Sequence, residues 1–387
     1  MNFAVISHMY PVGNSTKYVF VEQLLKAFVR QGHKCTVIAP YNTYLGKKGH
    51  FPPEYEVKPV DSTNSIVVYR PRFFVRNIPI VPVSTAYYMA SRAFERVIVS
   101  NGLRFDFIYS HFFIPATFAW HYVHNHNIPL FVATGESVIK TRIQKPRFSF
   151  SWKKFRKDTM GVICVSKKNY DECVGLGYAD KSKCGVFPNA IDKSLFRKLD
   201  KVACRKRLGI DKNVFVIAFV GWFNERKGSV RVAKSVDLLN DDNVFSLFVG
   251  QKQKVNDVEP VCRNILFKGA VAHDDVPIYL NAADVFVLPT LSEGCCNAIV
   301  EAMACGLPII SSDLPFNYDV LDESNSIMVD PNDIYAIGNA ISKLKSDSVL
   351  RKNLSEGALR TSEKLTIDAR ASAIMNFVES KIYGLSH

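Results

Sequence analysis

The sequence predicts an α/β protein of two doubly wound domains facing each other across a cleft. Three observations predict it. Short apolar runs that fit buried parallel strands alternate with stretches of helical periodicity along the chain. The alternation resets near Pro188-Asn189-Ala190-Ile191-Asp192, where a basic connector leads into a fresh strand, Val214 to Val220. A length of 387 residues is more than one core usually holds. Both halves then read as Rossmann-like, with boundaries at 1–189 and 190–365. Residues 366–387 are expected to form a C-terminal helix packing back on the first domain.

Phe3 to Ile6 is the first strand. Val21, Leu24, Leu25 and Phe28 recur at helical spacing, and Gly32 ends that helix. Cys35 to Ala39 is the next strand, stopped by Pro40. Residues 40–65 look like a long loop-rich insertion. Further strands fit Phe107–Tyr109, Leu130–Val132 and Val162–Val165. In the second half the strands are Val244–Val249, Ile265–Phe267, Val285–Leu288, Ile309–Ile310 and Ile327–Val329. Ile334, Ile337, Ile341 and Leu344 mark a helix. No short internal repeat is present.

Composition excludes several classes. No run approaches 18 apolar residues, so no membrane-spanning helix is expected. Residues 1–7 lack a basic leader and read as a strand, so no signal peptide is expected. The nine cysteines form no C-x-x-C pair and often sit in apolar runs, which favours a reducing cytosol over a disulfide framework or zinc site. Charge is uneven. Residues 1–200 hold 28 Lys and Arg against 13 Asp and Glu, a net +15, whereas residues 201–387 carry −2. The first half is therefore expected to face something anionic.

The densest chemistry lies in Ser292-Glu293-Gly294 through Glu301-Ala302-Met303-Ala304. It reads as strand, loop, helix, strand, with one carboxylate at the helix mouth and one about two turns in. The loop falls at the carboxyl end of a strand, where open α/β sheets bind ligands. Helical spacing argues against a hydrolytic carboxylate pair. Eight helical residues rise about 12 Å and turn about 80°, whereas a retaining glycosidase pair stands about 5–5.5 Å apart. Glu293 and Glu301 are better placed to touch different parts of one long ligand. Strand Val214–Val220 runs into Gly221-Trp222-Phe223-Asn224-Glu225-Arg226-Lys227-Gly228. A glycine and two cations between strand and helix fit a phosphate site, although a solvated basic turn fits the same residues.

These pieces, in order with Phe267-Lys268-Gly269 and Ala283-Asp284-Val285-Phe286-Val287, resemble the retaining glycosyltransferases of family four, which have a GT-B fold. The resemblance is strong over 188–345. It is looser in the first half, through Gly32-His33 and Ser110-His111. It implies that Glu293 contacts the donor sugar and that Glu301 grips the nucleotide ribose. It further implies that Lys227 and Arg226 hold the donor diphosphate, with backbone N–H groups near Asn297, Ala298 and Ile299 meeting phosphate and ribose. Gly13 matches a position where backbone approaches the diphosphate, after the strand that ends near His8. Gly221 closes the strand beside the cations. His111 matches a histidine common at this place, and a hydrogen-bonded core histidine is the alternative.

The chain departs from the family pattern in three places. Trp222 stands where Gly-Arg is frequent, leaving Arg226 to take over that arginine. Ala133-Thr134-Gly135-Glu136-Ser137 lacks the usual histidine or arginine. Glu136, with Ser137, fits either orienting an acceptor hydroxyl or pairing with a nearby lysine. Pro315-Phe316-Asn317-Tyr318-Asp319 replaces a late Gly-Gly-x-x-Glu, so donor-hydroxyl contacts are expected to differ there.

Residues 140–157 carry eight Lys and Arg and no acid, interleaved with Phe148, Phe150, Trp152 and Phe155. Trp152, Lys153, Lys154, Arg156 and Lys157 fit a peripheral contact with an anionic membrane surface, and Arg70, Arg72, Phe73, Phe74 and Arg76 extend it. Packing of the aromatics into the core fits equally. His121, His124 and His126 do not share a helical face and read as surface.

The expectation is a retaining hexosyltransferase using a nucleotide-diphosphate sugar without a metal. Its acceptor is a saccharide, lipid-linked as in bacterial surface polysaccharide synthesis. The enzyme would be cytoplasmic, peripheral at the inner membrane face, with no nucleic-acid partner. The alternatives are a GT-B-fold nucleotide-sugar epimerase and a non-catalytic nucleotide-sugar-binding protein.

Overall fold

Strand β1 (Asn2–Ile6) is buried from Phe3 onward and pairs in parallel on both sides, the environment its unbroken apolar run requires. The computed structural model describes residues 1–7, 9–13, 18–45, 51–76, 83–136, 139 and 152–384. The chain divides into two units, Met1–Phe187 with Asp368–His387, and Pro188–Ile367.

In the first unit the remaining strands are β2 (Lys34–Ile38), β3 (Tyr41–Asn42), β4 (Tyr55–Pro59), β5 (Ser65–Tyr69), β6 (Arg72–Phe73), β7 (Phe107–His111), β8 (Leu130–Thr134), β9 (Thr159–Cys164) and β10 (Cys184–Val186). The sheet order is β10-β9-β8-β7-β1-β2-β5-β4. Every pair is parallel except β4 with β5. The order reverses beside β1, which makes its carboxyl end a topological switch point. Helices α1 (Val19–Arg30), α2 (Val83–Ser100), α3 (Phe113–His126), α4 (Trp152–Asp158) and α5 (Lys167–Gly175) make the connections. Phe94, Phe113, Trp120 and Phe155 fill the core on one face of the sheet. Phe3 packs on Phe28 and Phe107, with ring centroids at 5.6 and 4.5 Å.

Residues 40–65 are not simply loop. Tyr55–Pro59 forms a strand antiparallel to β5, and β3 pairs with β6. Asp61 closes the hairpin, its Oδ1 accepting from the backbone N–H groups of Thr63 and Asn64 at 2.8 Å each. The edge strand alternates exposed and half-buried residues, so it lacks the apolar run that marks the central strands.

In the second unit β11 (Phe215–Val220), β12 (Val244–Val249), β13 (Ile265–Gly269), β14 (Val285–Leu288), β15 (Ile309–Ser312) and β16 (Ser326–Val329) form a wholly parallel sheet ordered β13-β12-β11-β14-β15-β16. Its helices are α6 (Lys201–Leu208), α7 (Ser229–Leu239), α8 (Val276–Ala282), α9 (Asn297–Ala304), α10 (Ile334–Ser346) and α11 (Ser348–Lys364). Asp333 caps α10 by accepting from Tyr335 and Ala336 N–H, each at 2.9 Å. The switch point lies between β11 and β14, so the loops after these two strands rim one crevice. The last helix, α12 (Ile367–Tyr383), lies almost wholly in the first unit, where Phe377 meets Phe131 and Phe187 at 6.3 and 5.3 Å.

Candidate active site

The crevice of the second unit brings the loop after β11 onto the loop after β14. Strand β11 ends at Val220, and Gly221 turns the chain tightly against the end of β12. A Cβ built on Gly250 would stand 1.8 Å from the Gly221 carbonyl oxygen, so only glycine lets these two strand ends approach. Gly228 caps α7 at φ +82°, and a Cβ there would lie 2.7 Å from the Pro289 carbonyl oxygen. The backbone N–H of Lys227 donates to Asn224 Oδ1 at 2.9 Å, and Asn224 Nδ2 donates to Gln253 Oε1 at 2.8 Å. Arg226 and Lys227 are thus held where strand gives way to helix.

Both cations converge on Glu293. Lys227 Nζ lies 2.8 Å from Glu293 Oε1, and Arg226 Nη1 pairs with the same oxygen. Thr290 Oγ1 donates to it at 3.0 Å, and Arg226 Nη1 also donates to the Ser292 carbonyl at 2.8 Å. Burial pushes the Glu293 carboxyl up, but Lys227 and Arg226 outweigh it and hold the pKa below the usual carboxylate value. Burial likewise opposes the charge of Lys227, while Cys296 and Glu293 overcome it and raise its pKa. Lys227 Nζ stands 3.6 Å from Cys296 Sγ. The cluster holds two cations against one carboxylate, and that surplus suits an anion.

Glu293 is not part of the helix. Helix α9 begins at Asn297, four residues later, and Glu301 sits about one turn in rather than two. The helical rise across eight residues therefore does not apply; a loop separates the two carboxylates. The N-terminus of α9, with Asn297, Ala298 and Ile299, opens beside the cations. Glu301 Oε1 meets His273 Nε2 at 3.4 Å, and His273 packs edge-on against Phe196, with centroids at 5.2 Å. The hydrogen bond to Glu301 raises the His273 pKa against the opposing effect of burial.

Three contributors escape sequence reasoning. Thr290 anchors Glu293, and His273 anchors Glu301. Asn189 Nδ2 donates to the Cys295 carbonyl at 2.9 Å and to Asn297 Oδ1 at 2.6 Å, tying the start of the unit to the mouth of α9. Asn189 lay in a segment singled out by its sequence; nothing marked the other two. Asn317, in the variant late motif, is buried and spends its Nδ2 on Ser311 Oγ at 3.2 Å and the Ser312 carbonyl at 2.7 Å.

The first unit carries the remaining candidates. Gly13 has φ +53°, and a Cβ there would meet no described atom within 4 Å. His111 ends β7 and is buried, its ring near Phe20 and Phe112 at 5.4 and 4.2 Å. Among the described residues Glu136 accepts from Thr134 Oγ1 at 2.6 Å and from the Gly135 N–H at 3.1 Å. Burial raises its pKa. Ser137 and His8, and residues 140–151 of the basic segment, lie outside the described residues.

The described part of the basic segment divides between core and surface. Phe155 is fully buried in the core. Arg156 pairs with Asp180 at 3.0 Å, while Lys153, Lys154 and Lys157 remain exposed on α4. Arg70 cannot extend the patch, because it is buried and binds Glu56 at 2.7 Å and the Pro11 carbonyl at 3.1 Å. Arg72 is half taken up by Glu54 at 3.1 Å. No helix of the described residues is long and apolar enough to cross a membrane.

Two doubly wound α/β units, the second with such a crevice, make the GT-B architecture. The chain belongs to the glycosyltransferases of the family 4, group 1 type. Residues 19–195 match Glycosyltransferase Family 4 and residues 200–361 match Glycosyl transferases group 1. It is similar to the Escherichia coli UDP-Gal:alpha-D-GlcNAc-diphosphoundecaprenol alpha-1,3-galactosyltransferase, 29% identical over 58% of this chain, a match that spans 62% of that relative. It is 26% identical to TuaC of Bacillus subtilis, named for teichuronic acid biosynthesis, over 93% of both chains. Among solved structures, sucrose-phosphate synthase from Thermosynechococcus elongatus superposes with a TM-score of 0.77 at 19% identity, covering 99% of this chain and 100% of that one. Anabaena HepE in complex with UDP-glucose gives 0.72 at 16% identity, covering 98% and 100%. At such identities the likeness is one of fold.

Proposed function

We propose that this protein transfers a hexose, with retention of anomeric configuration, from a nucleotide-diphosphate sugar to a saccharide carried on a lipid diphosphate. The observation that carries the reading is the convergence of Arg226 and Lys227 on Glu293 beside the N-terminus of α9, with Glu301 one turn further on. Lys227 and Arg226 neutralise the departing diphosphate, assisted by the N–H groups of Asn297, Ala298 and Ile299. Glu293 orients the hexose, and Glu301 accepts from the ribose hydroxyls. The bond from the sugar C1 to the diphosphate oxygen breaks as the acceptor oxygen attacks on the same face. The acceptor proton passes to the departing phosphate oxygen, leaving a nucleoside diphosphate and a glycoside. Catalysis is positioning and charge stabilisation, with the two cations in place of a metal.

On the acceptor side the proposal gives His111, Glu136 and Ser137 to the acceptor hydroxyl, and Gly13 to backbone approach at the diphosphate. The excess of +15 in residues 1–200 supports a lipid-linked acceptor at an anionic inner membrane face, with Trp152, Lys153, Lys154, Arg156 and Lys157 at the contact. The Escherichia coli relative is named for a diphosphoundecaprenol-linked acceptor, which supports the lipid-linked reading.

Thermal-shift screening of the purified protein against UDP-, GDP- and ADP-sugars identifies the donor, since a ligand of the folded state raises its stability. Anomeric analysis of the product with a lipid-diphosphate saccharide then tests retention. An inverted glycoside defeats the mechanism. A free altered nucleotide sugar formed without acceptor favours an epimerase, and donor binding with no turnover favours a binding protein.

A further inference from the structure

Behind α9, on the side away from its N-terminus, the second unit has a cavity of about 280 Å³. Its wall includes the turn Cys305–Pro308 that ends the helix bearing Glu301. Four cations line it: Lys198, Lys201, Arg351 and Lys352. The lining has one acid, Asp284, and that carboxylate is already committed. Its Oδ2 binds Arg205 Nη2 at 2.7 Å and the backbone N–H of Val216 at 2.7 Å, and its Oδ1 pairs with Lys201. Arg351 is fixed in place. Its Nη1 donates to the carbonyls of Leu344 and Lys345, and its guanidinium lies over the Phe215 ring at 5.6 Å. Ser348 and Ser355 add hydroxyls, although Ser355 Oγ donates to the Gly306 carbonyl at 2.6 Å.

Lys201 already pairs with Asp284 and Lys352 lies 3.9 Å from Glu356 on its own helix, which leaves Lys198 and Arg351 as the lining cations without a carboxylate partner among the described residues, and the concave site is electrostatically incomplete there. Like charges crowded at a surface of reduced dielectric repel, and a bound anion relieves that repulsion. Lys201 records the strain: burial lowers its pKa, and Arg205 and Arg351 push it further down against the pull of Asp284.

We propose that this cavity binds a small phosphoanion, an inorganic phosphate or a phosphomonoester, at a site separate from the donor crevice. Arg351 supplies a planar fork and the three lysines supply point charges. A cavity of about 280 Å³ has room for one phosphate group with a small substituent.

The test is calorimetric titration of the full chain with inorganic phosphate at matched ionic strength, so that screening is held constant. It is run in a Lys227→Ala, Arg226→Ala background, which takes both cations out of the donor crevice. Saturable binding of one phosphate is expected. Lys198→Gln with Lys352→Gln, two changes that leave the Asp284 network intact, should weaken it by about tenfold or more through loss of two charge-assisted contacts. Circular dichroism checks that this variant folds, and Ser348→Glu, which brings a negative charge to the lining, gives a second variant that should also weaken binding by about tenfold or more. Absence of saturable binding, or binding that both variants leave unchanged, overturns the proposal. Vesicles containing phosphatidic acid form the other arm. Binding to them without any response to soluble phosphate overturns a site for a small ligand.

Discussion

Lys227 Nζ and Glu293 Oε1 stand 2.8 Å apart, and the same oxygen accepts from Arg226 and from Thr290 Oγ1. The carboxylate gathers both cations at one point of the crevice and helps to keep the buried Lys227 charged. A donor diphosphate entering there meets cations already desolvated and oriented, so little reorganisation is left for the reacting state.

The first prediction follows from that pairing. Lys227→Ala should lower kcat by about 10²–10³-fold, the usual cost of removing one preorganised charge donor. Glu293→Gln should lower kcat while leaving nucleoside diphosphate affinity intact or tighter, because it frees the cations. Steady-state kinetics and calorimetry on the two variants separate the roles. Equal loss of nucleotide affinity in both would show that Glu293 only holds the cations in place.

Glu301 makes a different claim. If its carboxylate accepts from the ribose hydroxyls, Glu301→Ala should weaken nucleotide binding by roughly 1.5–3 kcal/mol, as for hydrogen bonds to a charged group. The matching 2′-deoxynucleotide should lose affinity in the wild type and little more in the variant. Unchanged calorimetric affinity on going to alanine would reject the ribose role.

His273 provides a pH dependence. Its folded pKa is raised above the ordinary 6.5, first by the hydrogen bond to Glu301, with Asp274 at 4.0 Å from Nδ1 adding to it. A raised histidine pKa contributes stability that is fully present below the unfolded value. That contribution is lost as pH rises through the folded value. The Tm gap between wild type and His273→Gln should therefore be wider at about pH 6 than at about pH 9. A gap that does not change with pH would mean that the ring acts only through its packing on Phe196.

How far the sequence reached differs from part to part. The central strands of both sheets were readable because burial on both faces demands continuous apolar runs, as in Phe3–Ile6 and Val285–Leu288. Strand β4 was hidden because an edge strand with one half-covered face alternates polar and apolar residues. Glu293, Glu301, Arg226 and Lys227 stood out through their order along the chain. Asn189 and Asn297 are 108 positions apart, and His273 and Glu301 are 28 apart. Such pairs meet only when crossovers fold back, and no local spacing announces them. Arg70 misled for the opposite reason: a run of arginines looks exposed until the fold buries one of them against Glu56.

Gly250 tests the close approach that shapes the crevice. A Cβ there would fall 1.8 Å from the Gly221 carbonyl, at a φ of +156°. Gly250→Ala must therefore push the end of β12 away from the loop carrying Arg226 and Lys227. Overpacking of this kind costs about 1–3 kcal/mol. The variant should show a lower denaturant midpoint and weaker nucleotide binding together. A stability loss without any change in nucleotide affinity would show that the strand ends relax without moving the cations.

The membrane contact is best tested at the exposed lysines of α4. Phe155 is spent on the core and Arg156 pairs with Asp180 at the surface, while Lys153, Lys154 and Lys157 are exposed. Each cation near an anionic bilayer contributes about 1 kcal/mol. Changing these three to glutamine should therefore weaken sedimentation with phosphatidylglycerol vesicles by roughly two orders of magnitude at low salt. Slow hydrolysis of the soluble donor should be unaffected, because the lysines lie in the first unit and the donor cations in the second. Equal vesicle binding by variant and wild type would remove α4 from the contact. Loss of donor hydrolysis as well would mean that the substitutions damage the fold rather than a surface.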